Sequence, residues 1–405
     1  MGNGSKKALR VRTHPKMKVC VCTGTRAEYG LLRPVMRRIA RSRKLTLQVA
    51  AAGMHLAREF GRTIDNILAD GFRVDARVPM LPGNDTPAAM AESVGQGVIG
   101  FTKAFQRLKS DVVVVLGDRT ECFAAAVAAT LSGRILAHIH GGDRSQWTFD
   151  EPMRHAITKL AHVHFAATRE SARRIVRLGE RKDRVFVVGA PGLDELNIPR
   201  LPSPSATKRK HGFPPRGPLI LAVQHSISVK SWSAAAEITE TLEALRKLSL
   251  PTVLIYPDSD AGGRAIIRVI KEYEGRKAFT RAGARWLKTY KSLPRDEYLA
   301  VMKAADVMAG NSSSGIIEAA SFGLPVVNIG PRQKGRERSG NTIDVPASRE
   351  MIFRALKTIF SDLKTRKRLS IGKNVYGDGR ASEKIVRVLE RLDPWSDIRA
   401  KQITY

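Results

Sequence analysis

Short apolar runs alternate along the chain with longer segments whose apolar residues recur about every 3.6 positions, which predicts alternating strands and helices. A helix is predicted from about Tyr29 to Arg41, directly after the first apolar run. Alternation of strand and helix is typical of a parallel, doubly wound sheet. The predicted strands of the first half cover residues 18–22, 45–51, 112–116, 135–139, 163–167 and 185–188.

A proline-rich, basic segment at residues 199–218 interrupts this alternation and is predicted to be a linker. After it the alternation restarts, with strands predicted at 219–223, 252–256, 306–309 and 326–329. We therefore expect an α/β protein with two Rossmann-like domains, each a doubly wound parallel sheet, that face each other across a central cleft. The expected domains are residues 18–198 and 219–375.

The two ends of the chain are expected to lie outside these sheets. Residues 1–17 are basic and have no apolar core of the kind found in secretory signals, so we expect a flexible tail. Residues 376–405 are expected to form a helical tail that packs back on the N-terminal domain. Its apolar stripe consists of Ile385, Val388, Leu389 and Leu392.

Composition narrows the class of protein. The chain has 405 residues, of which 43% are hydrophobic, and this is enough for two domains with full cores. No apolar run approaches the length of a membrane-spanning helix, so we expect no membrane partner. The three cysteines are too few, and their spacing is wrong, for a zinc site or a disulfide framework. We expect buried free thiols, no metal or other cofactor, and a cytoplasmic protein.

The net charge of +31, from 69 Lys and Arg against 38 Asp and Glu, indicates an anionic partner. A nucleic acid is one such partner, and an anionic small-molecule substrate is another. The basic residues are scattered, and neither stacking aromatic residues nor a nucleic-acid motif accompanies them. We therefore expect no dedicated nucleic-acid partner, although a nucleic-acid-binding protein stays the rival that explains the charge.

Acids and histidines gather where predicted strands of the first half end. The segments 117–121 and 140–143 each follow a buried run, and residues 150–155 open a helix. Because the carboxyl ends of parallel strands meet at one crevice, these side chains are expected to lie together. Carboxylates beside imidazoles are suited to proton transfer at a carbon centre. The candidate catalytic residues are Asp118, Glu121, His140, Asp143, Glu151 and His155.

Simpler roles compete for some of these groups. Asp118 beside Arg119 also fits a plain ion pair, and we expect structural roles for the other histidines of this region. Those histidines are His138, His162 and His164.

Three loops have the composition of anion-binding sites. Residues 24–30 join a strand to a helix N-terminus, where backbone N–H groups attract anions, but their glycine spacing is not that of the dinucleotide fingerprint. Three serines at 312–314 precede a helix, and residues 330–338 carry four cations. The alternatives are ordinary helix caps, with Gly315 as N-cap and Glu318 in the first helical turn, and a solvated basic loop. The candidate binding residues are Arg26, Arg119, His225, Ser312, Ser313, Ser314, Glu318, Arg332 and Arg336.

Taken in order, these motifs resemble the UDP-N-acetylglucosamine 2-epimerase family, from about residue 18 to about residue 385. The match is carried by residues 23–30, 117–121, 138–143, 150–159, 310–313 and 332–337. It is nearest to the hydrolysing branch, which supplies sialic-acid and legionaminic-acid synthesis, and His140 favours that branch over the non-hydrolysing one. Asp143 and Asp258 depart from the family pattern, which usually has Glu and Asn there.

The resemblance implies a GT-B architecture and a nucleotide-sugar substrate. It implies elimination of the nucleoside diphosphate to a 2-acetamidoglucal, then hydration to the 2-epimeric sugar, N-acetylmannosamine, in a homodimer or homotetramer. It places the nucleotide near Arg26, His225, Ser312, Ser313, Glu318, Arg332 and Arg336. It places the sugar near Asp118, Glu121, His140, Asp143, Glu151 and His155. Still open are a GDP-sugar substrate, the non-hydrolysing reaction and a GT-B glycosyltransferase.

Overall fold

Two parallel β-sheets form the frame of the protein in the computed structural model, which describes residues 16–83, 86–145, 149–196, 201–258, 260–274, 285–394 and 396–404. The strands of the N-terminal domain are β1 (Met17–Thr23), β2 (Leu45–Ala52), β3 (Ala76–Val78), β4 (Val112–Leu116), β5 (Ile135–Ile139), β6 (Val163–Ala166) and β7 (Val185–Val187). Those of the C-terminal domain are β8 (Ile220–Val223), β9 (Thr252–Ile255), β10 (Leu287–Tyr290), β11 (Val307–Gly310), β12 (Val326–Ile329) and β13 (Thr342–Val345).

Both sheets have doubly wound topology. Within the described ranges the strand orders are β3-β2-β1-β4-β5-β6-β7 and β10-β9-β8-β11-β12-β13. Every pair of neighbouring strands is parallel. The strand order reverses beside β1 and beside β8, and a reversal opens a crevice at the carboxyl ends of the strands. The prediction of two parallel-sheet α/β domains is confirmed.

Helices cover both faces of each sheet, and each face has its own apolar cluster. In the N-terminal domain they are α1 (Arg26–Arg41), α2 (Ile64–Ala69), α3 (Pro87–Leu108), α4 (Thr120–Leu131), α5 (Asp150–Leu160) and α6 (Arg169–Arg177). After it come α7 (Pro204–Lys210), α8 (Ala234–Leu248), α9 (Gly263–Glu274), α10 (Arg295–Ala304), α11 (Ser313–Ile317), α12 (Arg349–Ser361), α13 (Leu363–Ser370) and α14 (Ala381–Leu389).

The sequence pattern does not predict three of the edge strands, β3, β10 and β13. Each has only three or four residues and carries a charged or polar side chain, as in Arg77, Lys288 and Asp344. An edge strand is buried on fewer sides than a central one, so it needs no continuous apolar run. β7, also an edge strand, was predicted because its apolar run is continuous.

The segment expected to be a linker contains a helix, α7, within its described residues 201–218. Ser203 caps this helix by accepting a hydrogen bond from the N–H of Ala206, and Pro204 occupies its first turn, where proline is tolerated. Lys208 is buried and donates to the carbonyl of Gly217 at 2.5 Å. The proline that suggested a linker therefore begins a helix, while the domain boundaries stay predictions.

The C-terminal tail returns to the N-terminal domain, as its apolar stripe indicates. α14 contacts α1, and Ile385 and Leu389 belong to the same apolar cluster as Leu32 and Ile39. In the described part of the chain, no helix combines the length and apolar character needed to cross a membrane. The thiols of Cys20, Cys22 and Cys122 are buried and free.

Shortening a buried side chain of this tail is expected to destabilise the N-terminal domain. Leu389 is fully buried, so Leu389→Ala is expected to lower the free energy of unfolding by about 2–5 kcal/mol through lost burial and a cavity. Leu131→Ala is the matched control, because Leu131 is 82% exposed. Thermal melting checks the prediction, and equal melting temperatures for the two variants would contradict it.

Candidate active site

The carboxyl ends of both sheets face one cleft, and ion pairs cross it. Arg119, in the loop after β4, lies 3.1 Å from Asp260 of the opposite domain. Arg336, in the loop after β12, lies 3.2 Å from Asp143 in the loop after β5. Side chains of both domains therefore meet where sequence reasoning expects a site.

A cavity lies in this cleft and is lined by both domains; its empty volume, with the open solvent at its mouth included, is about 780 Å³. Its polar lining combines cations, hydroxyls, imidazoles and carboxylates, and aliphatic and tyrosine side chains form the rest. The polar residues are Arg26, His140, His225, Asp258, Arg295, Ser312, Ser313, Ser314 and Glu318. The other lining residues include Leu31, Val223, Ile255, Tyr256, Leu293, Tyr298 and Ile317. Such a combination suits a ligand with a charged centre and a less polar end.

The three serines stand at the start of α11. Ser312 is the N-cap and accepts a hydrogen bond from the N–H of Ser314 at 3.4 Å. The Ser314 hydroxyl lies 3.0 Å from that of Ser312 and also bonds the Tyr298 hydroxyl. Gly315 therefore lies inside the helix, and the alternative that made it the N-cap is not observed, because Ser312 supplies the cap.

Glu318 lies at the C-terminal end of this short helix, whereas the sequence predicted it in the first turn. α11 has only five residues, so Glu318 is the residue that ends it rather than part of its first turn. The Glu318 carboxylate forms a buried ion pair with Arg295, which also donates to the carbonyl of Gly192 at 2.9 Å. The carboxylate still lines the cavity, but it is shared with a cation.

Three more predicted binding residues surround the same cavity or its rim. Arg26 donates across the cleft to the carbonyl of Leu293, and burial lowers its pKa. The N–H of His225 donates to the Asn311 side chain at 2.7 Å, and burial lowers the pKa of its imidazole. Arg332 donates to the carbonyl of Asn311 at 3.3 Å. These contacts fix cations and an imidazole around the serine loop.

His140 has an unusual backbone and an unusual imidazole. Its φ of 64° is rare for a residue other than glycine, and such conformations cluster at functional sites. Its Nδ1 lies 3.0 Å from the Asp143 carboxylate, while its Nε2 is buried without a hydrogen-bond partner among the described residues. Burial alone raises the pKa of Asp143, but His140 and then Arg336 hold it below its usual range. His140 is one of the residues that line the cavity.

Arg154 joins two loops of the N-terminal domain to the first turn of α5. Its fully buried guanidinium pairs with Asp118 and lies 2.8 Å from Glu151. It also donates to the carbonyl of Asp143 and the hydroxyl of Ser145, both at 2.9 Å. One cation therefore orients the loops after β4 and β5 and the first turn of α5.

The same network shifts the pKa values of neighbouring acids in different directions. Burial alone raises the pKa of Asp118, but Arg154, together with Arg336 and Arg332, holds that pKa below its usual range. Burial, then the charges of Asp118 and Asp260, raise the pKa of Asp150 to about 7. Neighbouring acids with separated pKa values are typical of sites that move protons.

Glu121 occupies a slot between two glycines. A Cβ atom on Gly24 or on Gly53 would lie 2.4 Å from the Glu121 side chain, so only glycine leaves room for it. The carboxylate is 3.5 Å from Arg119, and its Oε1 is buried without a hydrogen-bond partner in the described part of the chain. The glycine slot thus confines the side chain, while Arg119 and the Thr120 hydroxyl contact the other carboxylate oxygen, Oε2.

A second acid, Glu28, is buried behind this slot. Its carboxylate accepts from the N–H of Gly24 at 2.9 Å and from the Cys122 thiol at 3.1 Å. Burial raises its pKa to about 8, even though both of these hydrogen bonds lower it.

Glu151 and His155 lie on one face of α5, as their spacing predicts. His155 Nε2 is 3.3 Å from Glu151 Oε1, and the N–H of Ser145 donates to Glu151 Oε2 at 2.5 Å. Burial alone raises the pKa of Glu151, but the hydrogen bond from His155 and the N–H of Ser145 lower it. His138 instead contacts the carbonyl of Gly117 at 2.7 Å, in the structural role expected of it.

The structure thus connects every candidate residue either to the cavity or to the ion-pair network beside it. Sequence reasoning gave no role to four further groups: Glu28, Arg154, Asp260 and Arg295. Each is a charged residue on a helix or loop whose importance depends on burial. A charged residue on the buried face of a helix is a signal of such a role that sequence patterns can provide. Glu28 and Arg154 both lie on such a face.

Comparison with known sequences decides the family. The sequence profile described as UDP-N-acetylglucosamine 2-epimerase matches residues 37–390. The chain belongs to this family. It is 38% identical over 388 residues to the UDP-N,N'-diacetylbacillosamine 2-epimerase (hydrolyzing) of Legionella pneumophila. The match covers 96% of this chain and 99% of that protein.

Other family members extend the comparison. The GDP/UDP-N,N'-diacetylbacillosamine 2-epimerase (hydrolyzing) of Campylobacter jejuni is 32% identical, with 81% of this chain and 84% of that protein covered. Among solved structures, the UDP-GlcNAc 2-epimerase of Neisseria meningitidis bound to UDP-GlcNAc matches with a TM-score of 0.76 at 21% identity. That match covers 92% of this chain and 99% of the other, and it shows the shared two-domain, GT-B-like fold.

The raised pKa of Glu28 gives a pH-dependence of stability that a variant can isolate. The folded state keeps a proton that the unfolded chain releases above pH 4.5, so stability is expected to fall as pH rises from about 4.5 to about 8. Glu28→Gln removes this contribution, so its melting temperature should fall less between pH 5 and 8 than that of the wild type. Glu350→Gln, at an exposed position of α12, is the control. Parallel curves for wild type and Glu28→Gln would contradict the prediction.

Proposed function

We propose that this protein is a hydrolysing 2-epimerase that converts a nucleotide-diphospho-2-acetamido sugar into the free nucleoside diphosphate and the 2-epimeric sugar. The observation that carries the proposal is His140, which lines the cavity, and whose imidazole has Nδ1 held by Asp143 and Nε2 buried without a hydrogen-bond partner among the described residues. Carboxylates border it on one domain, and the serine loop borders it on the other. Proton donors and acceptors thus flank a site for an anionic leaving group.

In the elimination step, a base removes the proton from C2 of the sugar while the bond between C1 and the diphosphate oxygen breaks. The electron pair of the C2–H bond forms the C1=C2 double bond, and the nucleoside diphosphate departs. In the hydration step, water adds its oxygen to C1, and C2 receives a proton on the opposite face. Two positioned groups are therefore needed near C2, one to take a proton and one to give it.

Sequence reasoning leaves Asp118 or Glu121 as the base and His140 or Glu151 as its acid partner. Asp118 is engaged by Arg154, and Glu151 is engaged by Arg154 and Ser145. Glu121 and His140 each keep one buried atom without a partner among the described residues. We therefore assign proton exchange at C2 to Glu121 and His140, with Asp118 and Glu151 as their oriented neighbours.

The departing diphosphate needs positive charge and hydrogen-bond donors in a site shielded from water. Arg26 and the serine loop line the cavity, while Arg332 and Arg336, in the loop after β12, contact the Asn311 carbonyl and Asp143. Guanidinium groups match phosphate oxygens in a bidentate geometry, which favours this assignment. The nucleoside is then assigned to the apolar part of the lining, which includes Val223, Ile255 and Leu293.

The names of the relatives supply candidates for the sugar and the nucleobase of the substrate. UDP-N-acetylglucosamine is the first substrate to test, which would make N-acetylmannosamine the product. UDP- and GDP-diacetylbacillosamine, named for the relatives from Legionella pneumophila and Campylobacter jejuni, are the next. The cytoplasmic location and the homo-oligomeric state stay predictions.

Turnover in deuterated water tests the reaction. The wild type incubated with UDP-N-acetylglucosamine is expected to release UDP and to give a 2-epimeric sugar that carries deuterium at C2, because the C2 proton is exchanged between elimination and hydration. Mass spectrometry and proton NMR measure both. The two diacetylbacillosamine nucleotides are run in parallel.

Two results separate the alternatives. Deuterium at C2 in a sugar still attached to nucleotide would indicate the non-hydrolysing reaction, and nucleotide release only with an added acceptor would indicate a glycosyltransferase. Neither free nucleotide nor deuterium with any of the three substrates would contradict the proposal.

His140→Asn tests the assigned proton-transfer group. The amide keeps a polar side chain but cannot exchange a proton, so kcat is expected to fall by a factor of about 10²–10⁴. UDP should still raise the melting temperature of the variant, because the serine loop and the arginines are unchanged. An unaltered kcat would remove His140 from the mechanism.

A further inference from the structure

We propose that Asp260 is a positioning residue which, through Arg119, sets the place of the Glu121 carboxylate on the opposite side of the cleft. The inference deepens the proposed function and rests on it, because Glu121 is the assigned proton acceptor there. Asp260 lies in the loop after β9 of the C-terminal domain, whereas Arg119 and Glu121 follow β4 of the N-terminal domain.

The distances define the connection. Arg119 Nη2 lies 3.1 Å from Asp260 Oδ1, and Arg119 Nη1 lies 3.5 Å from Asp258 Oδ2. On the other side of the same guanidinium, Arg119 Nε lies 3.5 Å from Glu121 Oε2. One planar cation therefore contacts the catalytic carboxylate of its own domain and two carboxylates of the other.

Burial makes these charge contacts effective. The side chains of Arg119, Asp260 and Glu121 are 15%, 9% and 2% exposed. At the effective dielectric constant near protein surfaces, a charge pair interacts roughly four times more strongly than in bulk water. A guanidinium held by Asp260 thus has limited freedom to leave Glu121.

The position of Asp260 is supported by the backbone and not by the arginine alone. Its carbonyl accepts from the N–H of Gly263 at 2.8 Å, in the first turn of α9. The next residue, Ala261, accepts a hydrogen bond from the Ser226 hydroxyl at 2.5 Å, which connects the loops after β8 and β9. The carboxylate therefore projects from a braced loop.

This geometry links catalysis to the approach of the two domains. The slot between Gly24 and Gly53 confines the Glu121 side chain, and its ion-pair partner in the described part of the chain, Arg119, also pairs with the opposite domain. Asp260 holds the Arg119 guanidinium, and the guanidinium in turn holds the Glu121 oxygen Oε2. The loop after β9 thereby completes the catalytic arrangement.

A general interdomain ion pair is the competing explanation, and the chain offers a control for it. Arg264 and Glu59 also pair between the domains, at 3.1 Å, but both side chains are more than one-third exposed. Neither has been given a role in catalysis or binding. Loss of the Arg264–Glu59 pair measures how much an interdomain contact alone contributes to kcat.

The experiment measures steady-state nucleotide release by the full-length protein from whichever of the three candidate substrates the wild type converts. Asp260→Asn is expected to lower kcat between roughly 10- and 100-fold, because small displacements of a reacting group have effects of this size. Glu59→Gln should change kcat by less than about twofold. The double variant Arg119→Met/Asp260→Asn should be no slower than Arg119→Met, since Asp260 acts through Arg119.

Three outcomes would overturn the inference. They are an unchanged kcat for Asp260→Asn, an equal loss for Glu59→Gln, and a double variant slowed by the product of the two single effects. Should Asp260→Asn fail to fold, Asp260→Glu decides instead, because it keeps the charge but displaces it and should lie between the wild type and Arg119→Met in kcat. Absence of turnover by the wild type on every substrate removes the proposed function and this inference together, whereas an active wild type with an unaffected variant removes only the inference.

Discussion

A single buried cation, the guanidinium of Arg154, holds the catalytic edge of the N-terminal domain in one arrangement. A buried charge without partners costs several kcal/mol, so the groups around it must stay in place for the domain to be stable. Those groups are Asp118, Glu151, the hydroxyl of Ser145 and the carbonyl of Asp143. They come from different loops, and neutralising one cation therefore fixes the loops on which the catalytic side chains stand.

The same constraint operates between the two domains. Arginines of the second domain meet carboxylates of the first, as Arg336 meets Asp143, and Arg119 meets Asp260 in the opposite direction. A substrate with a diphosphate brings its own negative charge into this set, so it competes with carboxylates for the same guanidinium groups. The guanidinium groups of the cleft are thus available to an anion that displaces these carboxylates.

A structural feature could be predicted when the residues that determine it lie close together in the sequence. Central strands such as β4 and β5 are continuous apolar runs, and the acids and histidines at their ends are visible as motifs. The short edge strands β3, β10 and β13 lack that run because one side of each needs no apolar cover. The partners of Glu318 and Arg119 were not predictable, since Arg295 and Asp260 come from other loops and only the packed domains bring them near.

The residues that carry the chemistry are also those that local energetics disfavour. His140 has a left-handed backbone, which costs about 1–3 kcal/mol, and it buries a ring nitrogen with no partner among the described residues. Glu121 buries a carboxylate oxygen beside a second acid, Glu28. These costs persist because the fully buried β4 and β5 on which both loops stand contribute hydrophobic stabilisation that does not depend on the loops. The apolar strands that made the fold predictable are therefore also the reason that strained, reactive side chains can be held at their ends.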